Sequence, residues 1–420
     1  RPSSAATLLF LLAPLMKPIR PIATALISLA ALAAGCGAQA GSEFVVTSDP
    51  ELRRLAAEVL PDIAERSGMD LKVPVRLEVR TRDELERYLE LKLDEQLPPD
   101  EAQARVDVYS MLGLLAPDTD LRALLLALYG EQVAGFYEPD STAFFVIEGQ
   151  SVAMLRPLLV HEFVHALQDQ SLDLGALSDS DLGNDRATAA MAAIEGHATL
   201  VMFEYLAEQV SGTPLDLATV SDFAAQIRPA LEAAAQFPAL ASAPRIIRES
   251  LLFPYVEGAI FAHGLWSETD RVVPFGDAMP LSTEQVFDPG AAAPVELVVE
   301  VSGATQVLTD VLGSLELGIL IEDVLGVSKG AGSRAGGMAD GWDGDRFVLA
   351  DVAAEGLGLS FATLWDSEEA RDAFSDRVEA RGEHFGSVPR VERTSIDGHP
   401  ASILSMGPDF VAHFTLAALR

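Results

Sequence analysis

The chain has 420 residues, with 63 Asp and Glu against 29 Lys and Arg, a net charge of −34 and one cysteine. Apolar residues make up 49% of it, which is ample for a core and excludes an acidic disordered tail. One cysteine excludes a disulfide framework, a Cys-rich zinc site and an iron–sulfur cluster, and so acidic a chain, with lysine only at Lys17, Lys72, Lys92 and Lys329, argues against nucleic acid as a partner.

The first segment predicts export. Met16 is followed by Lys17 and Arg20 and then by an apolar run over 22–34. That is the pattern of a secretory signal, and the run is too short to span a bilayer. Met16 is therefore the expected start, and residues 1–35 are the expected signal region. Small residues lead up to Cys36. They resemble a bacterial lipobox, in which Cys36 would carry a lipid; the alternative is a plain cleaved signal with an incidental cysteine. Residues 36–48 then read as a tether. The expected address is the cell envelope, with the membrane reached only through that lipid.

Residues 50–67 carry apolar residues at helical spacing, and 73–80 alternate as a strand does. Two or three helices are expected over 82–130. Short β-type runs at 133–137 and 143–147 flank Glu138-Pro139-Asp140-Ser141, so a hairpin is predicted. Long helices follow over 153–172 and 184–210, with more helix to about 270. Beyond Pro289, short β-type runs surround one clear helix, SEEARDAFSDRVEAR. The expected fold class is α+β. A mainly helical domain with a small sheet spans 49–290, and a smaller α+β domain of unknown role spans 291–420.

The chemistry concentrates in His161-Glu162-Phe163-Val164-His165. Histidines at i and i+4 share a helix face, so both imidazoles can reach one metal. Neutral imidazole suits zinc. Glu162 projects about 100° away round the helix, where it can take a proton from water rather than bind the metal. Leu155, Leu158, Leu159, Phe163, Ala166 and Leu167 make this helix apolar nearly all round, so the histidines are expected inside the domain. Zinc needs a third protein ligand and an open fourth position. Glu195 lies on or beside the apolar stripe of the 184–210 helix, where a carboxylate needs a partner. His197 and Glu204 are the rivals for this place. Gly196 interrupts the helix interior and suggests the close approach of another element.

An HExxH helix followed by a helix bearing a glutamate resembles the gluzincin zinc metallopeptidases. More narrowly, the chain is similar to a family of poorly characterised, often exported bacterial metallopeptidase-like proteins. The matching stretches are 135–139 (GFYEP), 161–170 (HEFVHALQDQ), 194–199 (IEGHAT), 252–258 (LFPYVEG), 282–286 (STEQV) and 341–346 (GWDGDR). His197 and Asp288 depart from the family pattern. The resemblance implies a zincin-like domain, one zinc ion per chain held by His161, His165 and Glu195, and a peptide or protein substrate.

Supporting roles are assigned more loosely. Asp169, one turn after His165, is a candidate to orient a ligand imidazole, or else a plain helix-end residue. The 133–147 hairpin could pair with an extended substrate backbone. Peptide hydrolysis needs a donor for the developing oxyanion. Tyr255 and His263 are candidates, with packing or capping as the alternative for each. Arg245 and Arg248 are candidates for a substrate carboxylate. The glycine-rich 329–346 segment lacks a nucleotide loop and a twelve-residue calcium loop, so it reads as a turn.

Overall fold

A computed structural model describes residues 44–138, 141–172, 174–177, 183–234, 237–268, 271–327 and 339–417. The expected signal region with Met16 and the start of the expected tether with Cys36 lie outside them, as do residues 139–140 of the hairpin turn and most of the glycine-rich segment. The protein is α+β. Among the described residues, no helix is long and apolar enough to cross a membrane.

The N-terminal portion begins with a two-residue strand, β1 (Val45–Val46), and helix α1 (Pro50–Ser67). Val45 is buried, so the last residues of the expected tether belong to the fold; the apolar Phe44-Val45-Val46 run draws them onto the sheet. Asp49 caps α1 by accepting from the Glu51 and Leu52 backbone N–H groups. Strand β2 (Val75–Arg80) buries Val75 and Leu77 on one face, as its alternation predicts. Helices α2 (Arg82–Gln96), α3 (Pro99–Met111) and α4 (Leu121–Gln132) follow. Thr81 and Glu84 form a reciprocal capping box at the start of α2.

The predicted hairpin is β3 (Gly135–Glu138) with β4 (Ala143–Ile147), antiparallel in register Phe136 to Phe145. The sheet order is β1-β2-β4-β3, with β1–β2 and β2–β4 parallel. Strand β4, all apolar, is buried throughout its length, and β3 forms an edge. Helix α5 (Val152–Ser171) packs against this sheet, and α6 (Asn184–Ser211), α7 (Phe223–Ala234) and α8 (Arg245–Glu268) complete the helical portion.

The C-terminal portion holds a two-stranded sheet, β5 (Leu297–Ser302) with β11 (Val411–Leu416). Beside it lies a five-stranded antiparallel sheet ordered β6-β7-β8-β10-β9. Its strands are β6 (Thr305–Asp310), β7 (Trp342–Val352), β8 (Gly356–Trp365), β9 (Arg390–Ile396) and β10 (His399–Met406). The expected helix is present as α10 (Glu368–Arg381). A further helix, α9 (Gly313–Asp323), was not expected. Apart from Glu316 and its last two residues it is largely apolar, through Leu315, Leu317, Ile319, Leu320 and Ile321, and it is buried, so it carries little amphipathic signal. One hydrophobic cluster runs without interruption from α1 through α5, α6 and α8 into α9 and β7.

Buried carboxylates lie where the two portions meet: Asp345 and Asp185 each act within one portion, while Glu316 and Asp310 reach across the join. Asp345 on β7 accepts from the Leu312 and Gly313 N–H groups at the start of α9 and from the Trp342 indole. Asp345 is thus a cap rather than a cation ligand. Asp185 at the start of α6 accepts from the Thr283 backbone and hydroxyl. Glu316 on α9 accepts from the Tyr109 hydroxyl at 2.9 and 3.0 Å and from the Asn184 amide at 3.0 Å. Arg105 pairs with Asp310 nearby. Burial pushes the Glu316 carboxyl up to about 8, partly offset by the Asn184 and Tyr109 hydrogen bonds.

A carboxyl raised in the folded state stabilises least when ionised. The stability Glu316 contributes is full below its unfolded value of 4.5 and is lost as pH rises through about 8. Glu316→Gln, which stays neutral, should therefore gain stability over the wild type across that range. Urea unfolding at pH 4.5 and pH 8.5 should show the gap widen by more than about 1.4 kcal/mol, the weight of one pKa unit. Parallel pH curves would contradict the assignment.

Candidate metal centre

Two helices carry the centre and a third closes over it. Helix α5 is apolar nearly all round and lies inside the fold, so its polar residues are carried into the core with it. Helix α6 crosses α8 at unusually short range. A Cβ on Gly196 would lie 2.0 Å from the Gly258 carbonyl carbon, and one on Gly258 would lie 2.2 Å from the Ala192 carbonyl oxygen. Only glycine at both positions permits this contact. The crossing fixes Glu195 opposite α5 and brings Tyr255, one turn before Gly258, beside His161, with ring centroids 6.4 Å apart.

His161, Glu162, His165 and Glu195 are each exposed by 1% or less. His161 Nε2 lies 3.2 Å and His165 Nε2 3.4 Å from the same Glu195 oxygen, Oε2. One ligand atom from each of His161, His165 and Glu195 falls within 4.8 Å of the others. Atoms about 2.1 Å from a tetrahedral zinc stand about 3.4 Å apart, so these separations fit such a centre. His165 Nε2 and Glu195 Oε1 are buried without a hydrogen-bond partner, as is His161 Nδ1. Unpartnered polar atoms buried in such a cluster fit a cation as their partner. The three residues could therefore hold a metal ion.

Electrostatics divides the two glutamates. Burial pushes the Glu162 carboxyl well above its ordinary value, and the Glu195 charge adds to the shift, while the Tyr137 backbone N–H acts the other way. Burial also works against the charge on Glu195, but the neighbouring His165 and His161 outweigh it and hold that carboxyl below its ordinary value. Burial lowers His161, opposed by its hydrogen bond to Glu195. Glu195 is thus kept as an anion beside the imidazoles, and Glu162 as a group that retains a proton readily.

The other candidates fall into place around this cluster. His197 is buried but outside it: its ring stands edge-on to Trp266 and Phe275, and burial pushes it down to about 3. Glu204 pairs instead with Arg271 and Arg66. Asp169 accepts from the Tyr137 hydroxyl at 2.9 Å, and the side chain at His165 Nδ1 is Gln168, at 2.7 Å. The hydrogen bond to the His165 ring is thus made by Gln168, the neighbour of Asp169. Positions three and four residues after His165 both lie near its face, so spacing alone could not separate them.

The Tyr255 ring lies beside His161, but His263 does not. His263 sits about 12 Å further along α8, faces the Leu217 carbonyl at 2.9 Å and stacks on Phe223. Arg245 is engaged by Glu322 and Asp323 on α9, and Arg248 lies 3.7 Å from Glu249; among the described residues, neither forms an ion pair with Glu162 or Glu195.

Residues 300–402 match the family model of a domain of unknown function, DUF8575. That stretch lies within the C-terminal portion and contains none of the clustered residues. No curated protein and no solved structure matches the chain.

Two glycines on α8 test the crossing. Gly258→Ala should destabilise the protein by about 1–3 kcal/mol or more, through overpacking. Gly264→Ala places its methyl in open space and should stabilise by up to about 1 kcal/mol through helix propensity. Urea midpoints of the two variants should move in opposite directions; equal effects would show that the close crossing is not required.

Proposed function

We propose that the chain is a zinc-dependent hydrolase of peptide bonds, of gluzincin type. The observation that carries this reading is the convergence of His161, His165 and Glu195 on one point, with Glu162 beside them and outside the ligand set. His161, His165 and Glu195 would hold zinc, which when bound supplies Lewis acidity and lowers the pKa of water towards 7. Glu162 is the general base: its carboxylate takes the proton of the attacking water, and its raised pKa suits it to pass that proton on to the departing amine. Tyr255, beside His161, is the candidate donor to the developing oxyanion. Strand β3 is an edge, and its Tyr137 backbone acts on Glu162, so an extended substrate paired with β3 would run past the base. An exported protein anchored through Cys36 would meet such substrates in the cell envelope.

The depth of burial favours a second reading, a zinc-holding envelope module that cuts nothing. An intact Glu162 favours hydrolysis, of a peptide bond or of another amide or ester. A peptide-library digest separates these readings. The wild type should cleave, a chelator should abolish cleavage, and Glu162→Gln should lose about 10²–10⁴-fold in rate. Cleavage that persists with chelator, or full activity in Glu162→Gln, would overturn the proposal.

A further inference from the structure

We infer that Gln168 is a positioning residue that locks the His165 imidazole in its Nδ1–H tautomer and so presents the Nε2 lone pair to the metal. The inference rests on the metal reading above for its purpose, but its geometry stands in the chain alone. Gln168 is fully buried one turn after His165. Its amide makes three contacts: Nε2 to the Ile194 carbonyl oxygen at 3.0 Å, Nε2 to His197 Nδ1 at 3.2 Å, and Oε1 to His165 Nδ1 at 2.7 Å.

The Ile194 carbonyl decides the amide's orientation. A carbonyl oxygen only accepts, so the group facing it must be the amide NH₂; the flipped amide would set two oxygens against each other. With the NH₂ spent on Ile194 and His197, Oε1 faces His165 Nδ1. Oε1 only accepts, so Nδ1 carries the hydrogen. A neutral imidazole has one, so Nε2 is left with its lone pair. The same logic makes His197 Nδ1 an acceptor. The amide also joins the two ligand helices, because the carbonyl it binds belongs to the residue before Glu195. One side chain therefore sets both the tautomer of one ligand and the distance to another.

The test reads the tautomer directly. In metal-free wild-type protein at pH 8, imidazole ¹⁵N shifts should assign the hydrogen of His165 to Nδ1. In Gln168→Leu that preference should be lost and zinc affinity, measured by chelator competition, should fall about 10–100-fold. Gln168→Glu keeps an acceptor for Nδ1 and should retain the tautomer. A wild-type His165 protonated at Nε2, or a Gln168→Leu protein with unchanged tautomer and zinc affinity, would overturn the inference. Absence of zinc binding by the wild type would instead overturn the metal reading, and the tautomer measurement does not depend on it.

Discussion

Two imidazoles and two carboxylates lie side by side out of water, and this is the constraint on which the rest of the structure turns. Each such group loses hydration when buried, and the penalty is removed only by a partner. His161 and Glu195 partly satisfy each other, yet His165 Nε2, Glu195 Oε1 and both Glu162 oxygens lack a well-formed hydrogen bond. A fold would not keep such a set in its core for stability alone. The surrounding helices are arranged to hold it: α5 is apolar enough to sink, α6 and α8 are narrow enough at Gly196 and Gly258 to close, and Gln168 spans the gap between α5 and α6.

The C-terminal portion is joined to this apparatus and contributes no ligand to it. Helix α6, which carries Glu195 near its middle, begins at Asn184 and Asp185, where the carboxylates of Asp310 and Glu316 gather from β6 and α9. Its start is thus set by the C-terminal portion, and its middle by the crossing with α8. The same helix therefore links the stretch that matches a domain of unknown function to the proposed active centre, about 16 Å along its axis. Burial raises the Glu316 carboxyl there, which makes the attachment sensitive to pH.

Much of this was legible in the sequence where one helix or one spacing carries the information. The His161–His165 pair and the place of Glu162 beside it follow from the turns of α5, and the placement of Glu195 from the apolar stripe of α6. The β3–β4 hairpin follows from its turn residues and flanking apolar runs. What the sequence did not reveal needs contacts between distant segments. Helix α9 is hidden because its apolar residues spread round most of its circumference rather than along one stripe. Gln168 and Asp169 differ by one position, and only Ile194 and Tyr137, brought in from other elements, tell them apart. His263 shares a helix face with Tyr255, yet distance along the axis carries it to Leu217 and Phe223. The acidic network draws on Tyr109, Asn184, Thr283, Asp310, Glu316 and Asp345, which no local pattern connects.

The central claim is that His161, His165 and Glu195 form a metal centre. Elemental analysis of the purified protein after zinc loading and extensive dialysis tests it most directly. The wild type should retain about one zinc per chain and a folded His165→Ala variant almost none. A wild type that retains no zinc, or a His165→Ala protein that retains all of it, would contradict the account.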